Sequence, residues 1–443
     1  MSKLKMIFMS RGGKIFLLVL LILLFLIPAG MIRGLIHERE ARAREAEREI
    51  MTAWGEDFSL LGVVLRIPVQ EKQMIKTIGY NNEERIEIKE SDFYINITPE
   101  EIIGEIELKA QNKNRGIFSV PLFSGSVHIK GKFLPDLIQR NLKENQTVFP
   151  EKAEFIIGLS NMNGIKRITN TEWNGQELDF QPGTSGFSLS SRKLNIGIHS
   201  LAAFEMDKEN NFDIVMNIQG GKLIRIIPMG KNSSYKIKAD WPSPSFQGSF
   251  LPGTRIISED GFEANWEFSH LNQNIPLMWK ESAGEDGNIF YYNDFEVDFY
   301  KAVDHYAMNS RAVKYAILFI IIPFLSFFLF EVLSKKNIHM VQYLLAGIGN
   351  VIFYLLLLSI SEHIGFAASY WISAAAVILM ISLYSRSFLG AWGKSWIMGT
   401  IMAFLYAFLY FTLQSEDWAL LIGSLGAFGI TALVMFITRK LNW

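Results

Sequence analysis

Six long apolar segments, joined by short connectors that alternate between basic and free of Lys and Arg, constrain this chain to a multi-pass membrane protein. The segments are residues 15–32, 312–333, 341–360, 366–384, 395–413 and 418–437. Each holds about 18 to 22 residues, enough at ~1.5 Å per residue to cross a hydrocarbon core ~30 Å thick. Lys3, Lys5, Arg11 and Lys14 precede or open the first; Lys335 and Lys336 join the second to the third; Arg386 and Lys394 join the fourth to the fifth; Arg439 and Lys440 end the chain. Connectors 361–365 and 414–417 contain neither Lys nor Arg. The excess of positive charge on cytoplasmic connectors predicts that both termini are cytoplasmic and that residues 33–309 lie outside.

Residues 33–309 carry 31 Lys and Arg against 40 Asp and Glu, a net −9 in a chain whose total is −1. An acidic exported region argues against a nucleic-acid partner, which needs a basic surface to displace counterions. The first apolar segment is longer than the roughly 7 to 15 residues of a secretory h-region, and Ile27-Pro28-Ala29-Gly30-Met31 gives no good cleavage pattern, so it reads as an uncleaved anchor. There is no cysteine, which excludes thiol catalysis, cysteine metal sites and disulfides. The exported region must therefore be held by burial, and it is long enough to achieve this.

Four regions follow: a basic tail and first span over residues 1–32, a charged juxtamembrane helix over 33–58, a β-rich domain over 59–309, and a five-span bundle over 310–443. In the helix, Glu38 with Arg42 and Glu40 with Arg44 are spaced i,i+4 among strong helix formers. It reads as a solvated continuation of the anchor, with a partner-binding stalk as the other reading. Beyond it, residues 85–89, 93–97, 106–108, 126–133, 193–198, 212–218, 223–227 and 235–238 alternate in the manner of strands. Many strands at short spacing predict an antiparallel β-sandwich, or two packed β halves. A G-x-F-L-P echo, at Gly131–Pro135 and again at Gly248–Pro252, favours two halves. Residues 135–144 and 298–311 are the expected helices within or leaving this region, the first as a crossing between sheets.

Chemistry-bearing motifs are sparse. The seven histidines show no H-E-x-x-H or H-x3-5-H spacing, no G-x-S-x-G elbow occurs, and Gly393-Lys394-Ser395 lacks the spacer and strand context of a phosphate loop. No metal or cofactor is expected. His128, His199 and His270 read as packing or surface residues. Polar residues of the spans are more informative: Arg311, Lys314, Glu331, Asn350, Ser359, Ser361, Glu362 and His363. Most sit near span ends, where charges reach the headgroups. Asn350 lies mid-span, where its amide should seek a neighbouring helix. Glu362 and His363 end the third span and read either as a polar helix terminus or as a proton or ligand site.

The run Phe353-Tyr354-Leu355-Leu356-Leu357-Leu358-Ser359-Ile360-Ser361-Glu362-His363, with Val341 to Gly347 before it, closely resembles the signature of the CreD family of bacterial inner-membrane proteins. Arg115-Gly116-Ile117-Phe118 resembles the family's R-G-I-[YF] element. Trp241 with Pro244 to Pro252, including Phe246 and Gly248, and then Gly261 to Trp266 resemble its second outer block. Val303-Asp304-His305-Tyr306 with Arg311 to Tyr315 resembles its re-entry segment. Met340 departs from the family's usual Pro, which leaves the helix start there less sharply set. The resemblance implies an inner-membrane protein needed for envelope integrity under an envelope-responsive two-component system. It brings no reaction, cofactor or ligand with it.

Two mechanisms follow, with the lipid bilayer as the first partner of both. In the favoured one the outer sandwich, without catalysis, binds a lipid, a cell-wall component or an envelope protein, with an acyl chain between its sheets as one form. In the other, an enzyme acts on lipid or cell-wall precursors with Glu362 and His363 as acid and base beside Arg311; a transporter is a third reading. The oligomeric state is not legible in the sequence.

Overall fold

The computed structural model describes residues 11–78, 84–160, 162–184, 196–273, 275–281, 293–299, 305–334, 337–389, 392–415 and 418–439. The chain divides into two units, one of Met1–Arg44 with Val303–Trp443 and one of Glu45–Ala302. Helix α1 (Arg11–Trp54) contributes to both. Its 44 residues merge the predicted anchor and the predicted charged helix. Both predicted i,i+4 pairs form, Arg42 with Glu38 at 2.6 Å and Arg44 with Glu40 at 3.1 Å.

The second unit contains β1 (Phe58–Ile78), β2 (Glu84–Ile97), β3 (Glu101–Arg115), β4 (Phe118–Phe133), α2 (Asp136–Asn141), β5 (Gln146–Val148), β6 (Glu154–Leu159), β7 (Ile165–Trp173), β8 (Gln176–Glu177) and β9 (Gln181–Pro182). It continues with β10 (Ile196–Leu201), β11 (Asn210–Gly220), β12 (Leu223–Ile227), β13 (Asn232–Ala239), β14 (Pro244–Gly248), β15 (Thr254–Ser258), β16 (Gly261–Ser269), β17 (Met278–Lys280) and β18 (Phe295–Phe299). One sheet of ten strands runs β14-β18-β12-β1-β6-β10-β9, with β2, β5 and β17 extending it along β1 and β2. The other, of eight, runs β15-β16-β13-β3-β4-β11-β7-β8. Phe133, Trp173 and Phe212 of the eight-stranded sheet pack with Phe155 of the ten-stranded one, and Trp266 stacks on Phe295 with centroids 4.5 Å apart, so one aromatic core joins the sheets.

Several expectations need correction. The sheets are mixed, since β12 pairs parallel with β1 and β13 parallel with β3. Parallel neighbours need a long crossover, and these partners come from distant parts of the chain, so local patterning could not reveal them. Residues 85–89 and 93–97 are one strand, because Glu90, Ser91 and Asp92 continue the ladder against Lys72, Glu71 and Gln70. Asp298 and Phe299 end a strand; they do not begin a helix. The predicted strand at 193–198 begins in the structure at Ile196, its earlier residues lying outside those described. Helix α2 does connect β4 of one sheet to β5 of the other. The two G-x-F-L-P segments begin in the last residues of β4 and at the last residue of β14, strands that lie in different sheets and at non-equivalent positions.

The first unit adds α3 (His305–Lys314), α4 (Ala316–Ser334), α5 (Met340–Ile364), α6 (Phe366–Leu389), α7 (Trp392–Gln414) and α8 (Ala419–Thr438). Among the described residues α1, α5, α6 and α7 are long and apolar enough to cross a membrane, and α3 with α4, bent by 45°, makes a fifth. The bend falls where polar α3 gives way to apolar α4, so the predicted span over 312–333 is broken near its start. The sixth predicted segment falls on α8, 20 residues long. Leu18, Phe25, Ala29, Ile32 and Ile36 of α1 are buried in one stripe at spacings of three, four and seven. Phe25 lies so close to Gly347 that a Cβ there would come within 2.2 Å of its ring, the close helix approach that small residues permit. The start of α5 is sharp despite Met340: the His339 side chain accepts from Val341 N–H, and Gln342 Oε1 accepts from His339 N–H at 2.9 Å, a reciprocal cap.

Candidate functional sites

Along β3 and β4 alternate residues face away from the core, and with β11 on one side and β13, β16 and β15 in turn on the other the outer surface of the eight-stranded sheet forms a trough of about 820 Å³. Ser124, Ser126 and Asn217 are short outward residues of its floor; Glu107, Lys109, Lys166, Lys238 and Glu263 bring both signs of charge to it. At its margin stands Ile256, 70% exposed on β15, the outermost strand of that sheet. Such a surface offers donors, acceptors and both charges to an extended polar ligand. It was missed in the sequence, where Ser124-Gly125-Ser126 reads as an ordinary strand segment.

Gly116, with φ of +60°, opens the two-residue turn between β3 and β4, the position at which a II′ hairpin needs glycine. Arg115 beside it forms an ion pair with Glu49 of α1, and Phe118 starts β4 half-buried. Trp54 at the end of α1 donates to Phe123 O at 3.2 Å while Lys113 and Lys166 each lie 5.0 Å above its ring. Lys222 pairs with Glu47 at 2.9 Å. The last turns of α1 are thereby held on β3, β4 and β7 and on Lys222 beside β12. Trp241 donates to Ser243 O at 3.1 Å and packs edge-on against Phe299. Phe246 meets Phe262 and Trp266 edge-on, so β14 closes one end of the core. Gly248, φ +92°, sits where a Cβ would be 2.7 Å from Asp294 O. These resemblance residues have structural work at the positions described.

Around Lys222 the charges are not all matched. Partial burial raises the Asp298 carboxyl above its ordinary value; Lys222 opposes the shift, while Asp57, Glu296 and Glu47 add to it. A raised carboxyl favours the fold below its unfolded value and loses that benefit as pH rises through its folded value. Asp298→Asn should therefore raise the melting temperature at neutral pH, with the gain shrinking on acidification. A melting series across acidic pH reads this directly; a gain that grows on acidification would refute it.

In the membrane unit, Asn309 of α3 donates through Nδ2 to Ser361 Oγ at 2.8 Å and to His305 O at 2.7 Å, and Ser361 donates to Leu358 O. Tyr306 OH donates to Glu362 Oε1 at 3.1 Å, with Arg39 Nε of α1 3.9 Å from the same oxygen. His363 and Ser359 are exposed, and Arg311 is half-buried on α3. The structure thus gathers Glu362 and Ser361 with Tyr306, Asn309 and Arg39 and does not bring His363 to Glu362. The sequence could not give these partners, which are 52 or more residues away from Ser361 and Glu362. Asn350, fully buried, donates to Phe319 O of α4 at 2.8 Å, the neighbouring-helix partner its mid-span position predicts. Among the described residues no group of three His, Asp or Glu is placed to hold a metal.

Inner membrane protein CreD of Escherichia coli (strain K12) is 30% identical over 423 residues, 95% of this chain and 91% of that one. Residues 10–443 match the family described as inner membrane protein CreD, and the chain belongs to that family of inner membrane proteins.

Proposed function

We propose that this protein crosses the inner membrane several times with both termini in the cytoplasm, and that its exported sandwich supports envelope integrity by binding an extended polar segment of an envelope protein. The alternation of basic and uncharged connectors supports the orientation. The trough on the eight-stranded sheet carries the binding reading, because its floor of short polar side chains and its mixed charges suit an extended chain with both signs. The interior favours that outer face over an acyl chain between the sheets: Phe123, Phe155, Ile157, Ile214 and Phe295 there have no exposed surface. Binding is also favoured over catalysis, since Glu362 is engaged by Tyr306 and Arg39.

The test fills the trough. Ser126→Trp with Asn217→Trp should accumulate normally yet fail to complement an envelope-sensitivity phenotype. A photo-crosslinking residue at Ser126 should capture one defined envelope protein, and the same residue at exposed Thr147 on β5 should not. Full complementation by the filled variant, or capture at Thr147 alone, would sink the reading.

A further inference from the structure

A second cavity lies in the membrane unit and has the opposite chemistry. A groove of about 680 Å³ runs between α4, α7 and α8, its walls including Leu325 and Leu329 of α4, Ile401 and Phe404 of α7, and Ile430 of α8. Its two hydroxyls are already committed: Ser326 donates to Ile322 O at 2.8 Å and Thr400 to Trp396 O at 2.9 Å. Among the groove's described lining residues no hydroxyl proton is left to donate to a ligand. Gly426 and Gly429 leave room on the α8 side. The two glycines differ: a Cβ on Gly426 would come within 2.3 Å of the Phe408 ring, whereas one on Gly429 would meet nothing within 4 Å.

The charges at the helix ends select the occupant. Successive helices from α4 to α8 are joined by connectors of five residues or fewer, so they alternate in direction. The end of α4, the start of α7 and the end of α8 therefore share one side, and in the sequence Lys335-Lys336, Lys394 and Arg439-Lys440 adjoin those ends. Glu331, the acid nearest the basic side on α4, is paired with Lys14. We propose that the groove retains one acyl chain of an anionic phospholipid, with the lipid's phosphate beside the basic helix ends. Apolar walls within a span take the chain, and basic residues at the membrane surface favour an anionic headgroup. This site is independent of the trough.

The experiment uses the intact protein, delipidated in mild detergent and titrated with phosphatidylglycerol or phosphatidylcholine under native mass spectrometry. Wild type should bind phosphatidylglycerol about tenfold more tightly than phosphatidylcholine. Gly429→Leu, whose side chain enters open space and fills the groove, should lose that binding by about tenfold or more at an unchanged melting temperature, because the lost apolar contact is large. Gly429→Ala should retain it. Equal binding by wild type and Gly429→Leu, no preference between the two lipids, or occupation by a second copy of the chain would overturn the proposal. The lipid preference of wild type is a measurement that stands even if Gly429→Leu melts early.

Discussion

Arg66→Met is expected to destabilise the sandwich by about 3–5 kcal/mol, the cost of breaking a buried ion pair from one side. Arg66 on β1 is 5% exposed. Its Nε and Nη2 donate to the two oxygens of Glu281 at 2.7 and 3.2 Å, its Nη1 donates to Glu154 at 3.1 Å, and its guanidinium lies 3.5 Å above the Tyr94 ring. Methionine fills part of the volume but leaves two nearly buried carboxylates without their cation. Lysine should not rescue it, since a point charge cannot reproduce the planar fork. Further along the same strand, Lys72 pairs with Glu90 at 3.1 Å, with the two side chains 54% and 51% exposed. Losing that surface pair should cost at most ~1 kcal/mol. In a domain of this size the difference should appear as a melting shift of about 6–20 °C for Arg66→Met against a few degrees for Lys72→Met. Equal shifts for the two variants would refute the assignment.

What the sequence disclosed follows from the range of the interactions. Membrane helices were legible because a run of some 20 apolar residues needs no partner to be recognised. The alternation in β11 and β13 was legible as half-buried strands. The strand β1 was missed because both its faces are covered. Leu60, Val63 and Leu65 enter the main core, while Leu61 and Val64 join Ile156, Ile227, Met229 and Trp279 on the other side, leaving no alternation to read. The run from Phe353 to His363 carries helical periodicity that its likeness to a family motif obscures. Phe353, Tyr354, Leu357, Leu358 and Ser361 are buried, whereas Leu355, Ser359 and His363 are exposed, so part of the motif is the inward face of α5. Glu362 stood out in the sequence only by its place at a span end, and its partners Tyr306 and Arg39 come from α3 and α1. No local pattern names a partner that only the packed helices supply.

Glu331→Leu should loosen α1 from the helices it packs on, because it strands a charge. Lys14 of α1 bonds Glu331 of α4, whose second oxygen accepts from Tyr343 OH at 3.0 Å; the two charged side chains are only 18% and 10% exposed. A second clamp joins Arg39 to Glu362. Tyr343 and Glu362 are 19 residues apart on α5, about 28 Å along the helix, so the clamps fall near the two edges of a ~30 Å hydrocarbon core. Between them Phe25 fits against Gly347. Removing Glu331 leaves an unpaired ammonium near a span end, a loss below the ~2.5–3.5 kcal/mol that an unpaired Lys costs at the centre of a span. Lys14→Leu should cost less, since Glu331 keeps the Tyr343 hydrogen bond. Combining Lys14→Leu with Glu331→Leu should recover most of the single loss, because the stranded charge is gone. Melting curves of the four intact proteins in one detergent give the coupling energy, and a double variant as unstable as the sum of the singles would show that Lys14 and Glu331 do not hold α1 in place.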